Sequence, residues 1–157
     1  MGNKPLIVVY SYHHMNTLKV ANEIAKTLDA DVINIDKTNI NSIDENRIIG
    51  FGSGIDSSKH YPELLKYVDG LKKQSDKKVF IFSTSAIMGK KKNRKDHEIL
   101  REKLIGKGFN VIDEFYCKGF NTNSFLKIFG GLNKARPNID DLKQAEGFAK
   151  RIKEIIE

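Results

Sequence analysis

Short apolar runs alternate with stretches of helical periodicity along nearly the whole chain. Runs rich in β-branched and aromatic residues fall at residues 6–10, 32–35, 47–52, 78–83 and 111–117, and their length and composition predict strands. Between and after them, apolar residues recur at three- and four-residue spacing over residues 17–28, 61–73, 95–106 and 140–156, which predicts amphipathic helices. In the first helix Leu18, Ala21, Ile24, Ala25 and Leu28 share one face. In the third, Ile99, Leu100, Lys103 and Leu104 form a stripe, ended by Gly106 and Gly108. In the last, Leu142, Ala145, Phe148, Ala149, Ile152 and Ile155 form the apolar side. Asp140 and Asp141 stand at its start, where the free N–H groups of a first turn favour negative charge.

Five strands alternating with helices predict an α/β fold: an open parallel sheet with helices on both faces in three layers. Right-handed crossovers leave few topologies, and strand order 2-1-3-4-5 is the leading one. A ligand crevice is then expected outside the carboxyl ends of the first and third strands. Residues 119–138 join the fifth strand to the last helix over about twenty residues, which is long for a structureless connection. Phe125, Leu126, Ile128 and Phe129 predict a short apolar helical turn there, stopped by Gly130 and Gly131. A packed excursion is the main reading of this stretch, and a docking or lid element the other. With no internal repeat, low-complexity linker or composition break, residues 1–157 are expected to form one domain.

Composition narrows the setting. Apolar residues make up 39% and charged residues 30%, as in ordinary soluble globular proteins. Cys117 is the one cysteine, so an intrachain disulfide is excluded and a reducing, cytoplasmic setting is expected. The first apolar run is too short for a signal-peptide core, and no long apolar stretch follows, so no membrane segment is expected. Leu6 stands where a myristoylation signal needs Ser or Thr. The formal net charge of +7 attracts anionic partners, whether acidic proteins, phosphates or nucleic acid. A lysine-rich composition without specific meaning competes with that reading.

Three segments at predicted strand ends carry the candidate chemistry. The first is Ser11, Tyr12, His13, His14, Met15, Asn16 and Thr17; a hydroxyl-bearing loop entering a helix N-terminus suits a phosphate, because first-turn N–H groups and the helix dipole favour an anion. The second runs from Gly52, Ser53, Gly54 and Ile55 to His60, and the third is Ser83, Thr84, Ser85 and Ala86 followed by Ile87, Met88 and Gly89. Small and hydroxyl residues there let the backbone approach a flat ligand. The adjacent histidines His13 and His14 do not make a metal site, because neighbours rarely point at one ion; next to phosphate they would act as pH-sensitive donors. Residues 89–95 are the densest basic run and read either as a solvated loop or as a steering surface for an acidic partner or a nucleotide phosphate. Nucleic acid is disfavoured, because no aromatic residues interleave with the lysines. Cys117 reads as a core residue.

These segments, in this order and spacing, resemble the flavodoxin family. Asn16-Thr17 matches the end of that family's phosphate loop and Ser11 its opening hydroxyl, while His13, His14 and Met15 fill the middle, where the family usually has Thr and Gly, in a loop one residue longer. Phe51 to Ile55 resembles the segment lying against the isoalloxazine, and Phe82 to Ala86 the one at its pyrimidine edge. The resemblance covers nearly the whole chain. It implies a flavodoxin-like fold, FMN as cofactor held by Ser11 to Thr17, Gly52 to Ile55 and Ser83 to Ala86, and a low-potential electron carrier with a redox partner protein and no catalytic residue or metal of its own. Tyr12, Ile55 and Ile87 are expected either to flank the ring or simply to pack. The alternatives are an FMN-dependent NAD(P)H reductase of quinones or other small acceptors, and a flavin-free binding module of the same fold. A phosphoacceptor signalling domain is disfavoured, because Tyr10-Ser11 and Gly52-Ser53 stand where acidic residues would be needed.

Overall fold

In a computed structural model that describes residues 4–12, 15–35, 43–119 and 136–157, the chain folds as a three-layer α/β sandwich. The elements are β1 (Leu6–Tyr10), α1 (Asn16–Leu28), β2 (Asp31–Asn34), β3 (Ile48–Asp56), β4 (Lys59–His60), α2 (Pro62–Asp69), β5 (Lys78–Ser85), α3 (Lys90–Asp96), α4 (Glu98–Gly106), β6 (Asn110–Lys118) and α5 (Ile139–Ile156). The five long strands pair in parallel in the order β2-β1-β3-β5-β6, which is the expected 2-1-3-4-5 arrangement. The residues of the 119–138 excursion from Phe120 to Ala135 lie outside the described residues.

Strand alternation divides the core in two. Ile7, Val9, Phe80, Phe82, Phe115 and Cys117 point to the layer of α1 and α5, where they meet Val20, Ile24, Phe148 and Ile152. Leu6, Val8, Ile49, Phe51, Val79 and Ile81 point to the opposite layer and meet Leu64, Val68, Leu100 and Leu104. Each fully buried side chain of this size stabilises the fold by about 1.5–3 kcal/mol. On the α1 side, β3 contributes Ile48 and then glycines at Gly50 and Gly52, where the rings of the paired residues Phe80 and Phe82 fill the space a Cβ would occupy. Gly54 makes the same room for the Tyr61 ring.

Several expected boundaries shift. The third and fourth predicted strands run further: β3 extends to Asp56 and β5 to Ser85, because β3 pairs on with β5 to Gly54 and then antiparallel with β4, and β5 pairs with β6 to Ser85. A sixth strand, β4, folds back on β3 through Ser57 and Ser58, both at positive φ (54° and 62°), the mirror-image geometry that suits a tight hairpin. The second helix ends at Asp69, before Gly70, and Lys107 donates to the freed carbonyls of Asp69 and Leu71. The basic stretch expected as a loop is helix α3, separated from α4 at His97. Its Lys92–Asp96 ion pair spans one turn at 2.6 Å. Ile99 and Ile155, expected on buried faces, are exposed.

The glycines give a clean contrast. Gly50→Ala would place a Cβ 2.3 Å from the Phe80 ring and is expected to lower unfolding free energy by about 1–3 kcal/mol. Gly147→Ala, in a helix with nothing near the new methyl, should raise it by about 0.5–1 kcal/mol. Urea unfolding of the two variants measures both.

Candidate functional site

All three candidate segments converge at the carboxyl ends of β1, β3 and β5. Their backbones are paired there: Tyr10 with Ser53, and Ser53 with Ser83 and Gly54 with Thr84. Beyond the expected strand ends at Gly52 and Ser83, Ser53 to Ile55 and Thr84 to Ser85 therefore also belong to strands, not to loops. The loops proper are the hairpin after Ile55 and the turn from Ala86 to Gly89.

Entry into α1 is built without glycine. Met15 takes the left-handed conformation at the N-cap, with φ 54° and ψ 29°, at a cost of about 1–2 kcal/mol for an L-residue. It offers no side-chain cap. Instead Ser11 Oγ accepts the Leu18 N–H at 3.2 Å, satisfying one first-turn donor from outside the helix. Asn34 fixes Ser11 in turn, accepting its N–H at 3.2 Å and donating to its carbonyl at 2.8 Å. Thr17 Oγ1 and Thr84 Oγ1 lie 2.8 Å apart, tying α1 to β5. Gly119 sits against both Asn16 and Thr84. His13 and His14 lie outside the described residues.

Tyr12 is exposed and joins Tyr10 and Tyr61 in a cluster with ring centroids 5.5–5.8 Å apart. Burial first, then Tyr12, pushes the Tyr61 hydroxyl up to about 12, so it is neutral at physiological pH. Ile87 is exposed and Ile55 partly buried. Cys117 is buried, donates its thiol to the Lys118 carbonyl at 3.3 Å, and is pushed up to about 12 by burial, in keeping with a core residue.

On the opposite face of the same strand ends lies a polar network that periodicity and motif reading do not reveal. Ser53 Oγ–H donates to the Gly54 carbonyl at 2.7 Å and accepts the Tyr61 N–H at 3.2 Å. Its 2.8 Å contact with His60 Nδ1 therefore makes Nδ1 the protonated nitrogen of His60. His60 Nε2 is buried without a hydrogen-bond partner among the described residues, as is Asp96 Oδ1. The His97 ring lies 4.8 Å from that of His60 and 4.2 Å from that of Tyr116. Glu114 meets His97 Nδ1 at 2.8 Å and holds Arg101 through two bonds of 2.6 and 2.7 Å. Burial alone would raise the Glu114 carboxyl, but His97 and Arg101 outweigh it and hold it well below the usual range. An ionised carboxylate only accepts, so His97 Nδ1 carries the proton and Nε2 accepts the Ser83 hydroxyl at 2.7 Å. The sequence signal for these residues is slight, since His97 stands among charged neighbours that read as a solvated helix face.

Both histidines are held neutral. Burial lowers the pKa of His60 well below its ordinary value, with His97 and Arg101 adding to the effect. Burial also lowers that of His97, against the pull of Glu114. The unfolded chain binds these protons first, so stability is full above about pH 6.5 and falls as pH drops below it. The expected slope is up to about 1.4 kcal/mol per pH unit for each histidine. Urea unfolding between pH 7.5 and 5 should show that loss, and His97→Gln should reduce the slope.

Beside this network, α3, α4 and β6 enclose an open cavity of about 500 Å3 lined by Lys90, Arg94, Arg101, Asp113, Glu114 and Tyr116. Among the described residues no group of His, Cys, Asp and Glu is arranged to hold a metal ion, and no helix is long and apolar enough to cross a membrane.

The architecture agrees with that of known proteins. The flavodoxin domain family matches residues 7–153. An uncharacterized protein of Methanocaldococcus jannaschii is 48% identical over 149 residues, covering 95% of this chain and 97% of its own. Among solved structures, flavodoxin 2 of Bacillus cereus superposes with a TM-score of 0.71 at 17% identity, covering 96% of this chain and 98% of its own. A flavodoxin from the domain Archaea does so with a TM-score of 0.66 at 18% identity, covering 97% and 98%. With the family matched along almost its entire length and its sheet order reproduced strand by strand, this chain belongs to the flavodoxin family.

Proposed function

We propose that this protein binds FMN non-covalently at the carboxyl ends of β1, β3 and β5 and serves as a cytoplasmic electron carrier. The observation that carries this reading is the entry into α1. Met15 adopts the positive φ for which glycine is the usual choice, which supports a turn that delivers the chain to the N-terminus of α1, where an anion is favoured. Residues Ser11 to Thr17 would hold the phosphate. Ser11 keeps the first turn of α1 in place through Leu18, and Thr17 anchors it to Thr84.

Gly52 to Ile55 and Ser83 to Ala86 would border the ring, with Tyr12 on the exposed side. The neutral Tyr61 hydroxyl supports Tyr12 without adding charge. The bound flavin supplies the redox chemistry, and the surrounding chain tunes it. The ring-side segments carry no ionisable side chain of their own, so backbone dipoles and the Lys92 ammonium that donates to Ser85 are the local influences there.

The basic helix α3 adjoins the third segment. Lys90, Lys91, Arg94 and Lys95 lie along it with Arg101 near by, which suits an acidic redox partner.

Four experiments test this. Purified protein should retain visible flavin bands through desalting after FMN is added. Combined Ser11→Ala and Thr17→Ala substitutions should weaken FMN about 10–100-fold more than riboflavin; equal losses would show that the first segment does not hold phosphate. Replacing Lys90, Lys91 and Lys95 with Gln should slow electron exchange with an acidic partner about tenfold at low salt and flatten its salt dependence. Rapid oxidation of NADH or NADPH by the flavin-loaded protein alone would favour the reductase reading instead.

A further inference from the structure

The buried network below the strand ends has an order of groups, hydroxyl, imidazole and carboxylate, that elsewhere activates a serine nucleophile. Burial forbids that use here. Ser83 is 2% exposed and His97 fully buried, so no substrate reaches the hydroxyl. The arrangement acts on the structure around it.

We infer that His97 is a positioning residue for the proposed flavin site: it ties β5 to β6 through Ser83 and Glu114, lies against the histidine that anchors β3 through Ser53, and by its charge state sets how firmly the two ring-side segments are held. This rests on the flavin reading given above.

The hydrogen-bond directions make the coupling specific. With His97 neutral, Ser83 donates to Nε2. A proton on Nε2 reverses that bond, so Ser83 must accept, and its own hydrogen is turned out toward another acceptor. The new positive charge also lies close to the His60 ring, which holds Ser53. Ser53 and Ser83 are paired residues in neighbouring strands, so one protonation disturbs both ring-side segments at the same rung.

Every packed element contributes to the balance. From β6, Glu114 favours the proton, and Tyr116 stacks on the ring. Arg101, from α4, opposes it, while Asp96, from α3, favours it with one oxygen already held by Lys92. His60, from β4, offers a buried Nε2 with no donor among the described residues. Lys92 also donates to Ser85 at 3.3 Å, a second tie from α3 to β5. The neutral ring is thus the state that keeps all three strand ends in register. Flavin binding should prefer that state and, by linkage, expel the proton.

The test uses the whole protein. Ring nitrogen shifts of His97 and amide-exchange protection of residues 52–55 and 83–86 are followed by NMR without flavin from pH 7.5 to 4.5. Dissociation constants are measured for FMN and riboflavin over the same range. Riboflavin has no phosphate, so it is blind to the phosphate ionisation near pH 6 and to any contact His13 or His14 makes with phosphate. Protection in both segments is expected to fall at least tenfold as His97 takes up its proton, and the riboflavin constant to rise at least tenfold in step. His97→Gln should flatten both profiles. Should that variant fail to fold, Ser83→Ala removes the reversible bond and should flatten the exchange profile alone. Protection that does not change across the range, or a wild-type profile retained in His97→Gln, would overturn the inference. An exchange response without binding of either flavin at any pH would overturn the flavin reading and leave the coupling of His97 to β3 and β5 supported.

Discussion

The structure turns on a steric match between two neighbouring strands. Phe80 and Phe82 lie across β3 at the positions of Gly50 and Gly52. Two rings occupy the room that two side chains would otherwise need, and they pass that bulk on to α1 and α5, where Phe80 meets Phe148 edge-on at 5.6 Å. Because the rings belong to β5 and the space to β3, the two central strands are locked in one register. A slip by one residue would drive a ring into Phe51 or Ile49, which already fill the other face. That register also puts Ser53 beside Ser83 and Gly54 beside Thr84, the rungs on which the candidate site stands.

From those rungs the site divides by face. Thr84 looks toward α1, where it meets Thr17, while Gly54 faces the Tyr61 ring. Ser53 and Ser83 look the other way, into the histidine network. One side can meet a ligand's phosphate end while the other is held by charge. The Arg101–Glu114 pair is half-buried and bidentate, the geometry in which such pairs do more than surface ion pairs. Its value lies in keeping Glu114 ionised, because an ionised Glu114 fixes which nitrogen of His97 carries hydrogen.

What could be read from the chain, and what could not, follows the range of the interactions. The first strand has the expected bounds, and the sheet order follows from strand–helix alternation. Local periodicity suffices for these. The extensions of β3 and β5 do not show locally, since Gly52-Ser53-Gly54 and Ser83-Thr84-Ser85 look like loop and become strand only because neighbours on both sides pair with them. The β4 hairpin hides for a related reason: its turn uses two serines, Ser57 and Ser58, where glycine or asparagine would have announced it. Lys90 to Asp96 reads as a basic loop because no apolar stripe marks it, and the break at His97 comes from contacts with Ser83 and Glu114, both distant in sequence. That the three candidate segments gather at neighbouring strand ends was legible in the sequence. The network beneath them was not, because a buried histidine looks like any other until its partners are known.

The lone cysteine has a meaning beyond packing. Sulfur is oxidised through its thiolate, and burial, which pushes the Cys117 thiol up to about 12, keeps it in the thiol form at neutral pH. It is also buried against the α1 and α5 layer. The chain therefore has no readily accessible thiol for peroxide to convert to sulfenic acid and none for a second copy to cross-link. The sulfur of this side chain is thus shielded from oxidants in the surrounding solvent by the fold itself.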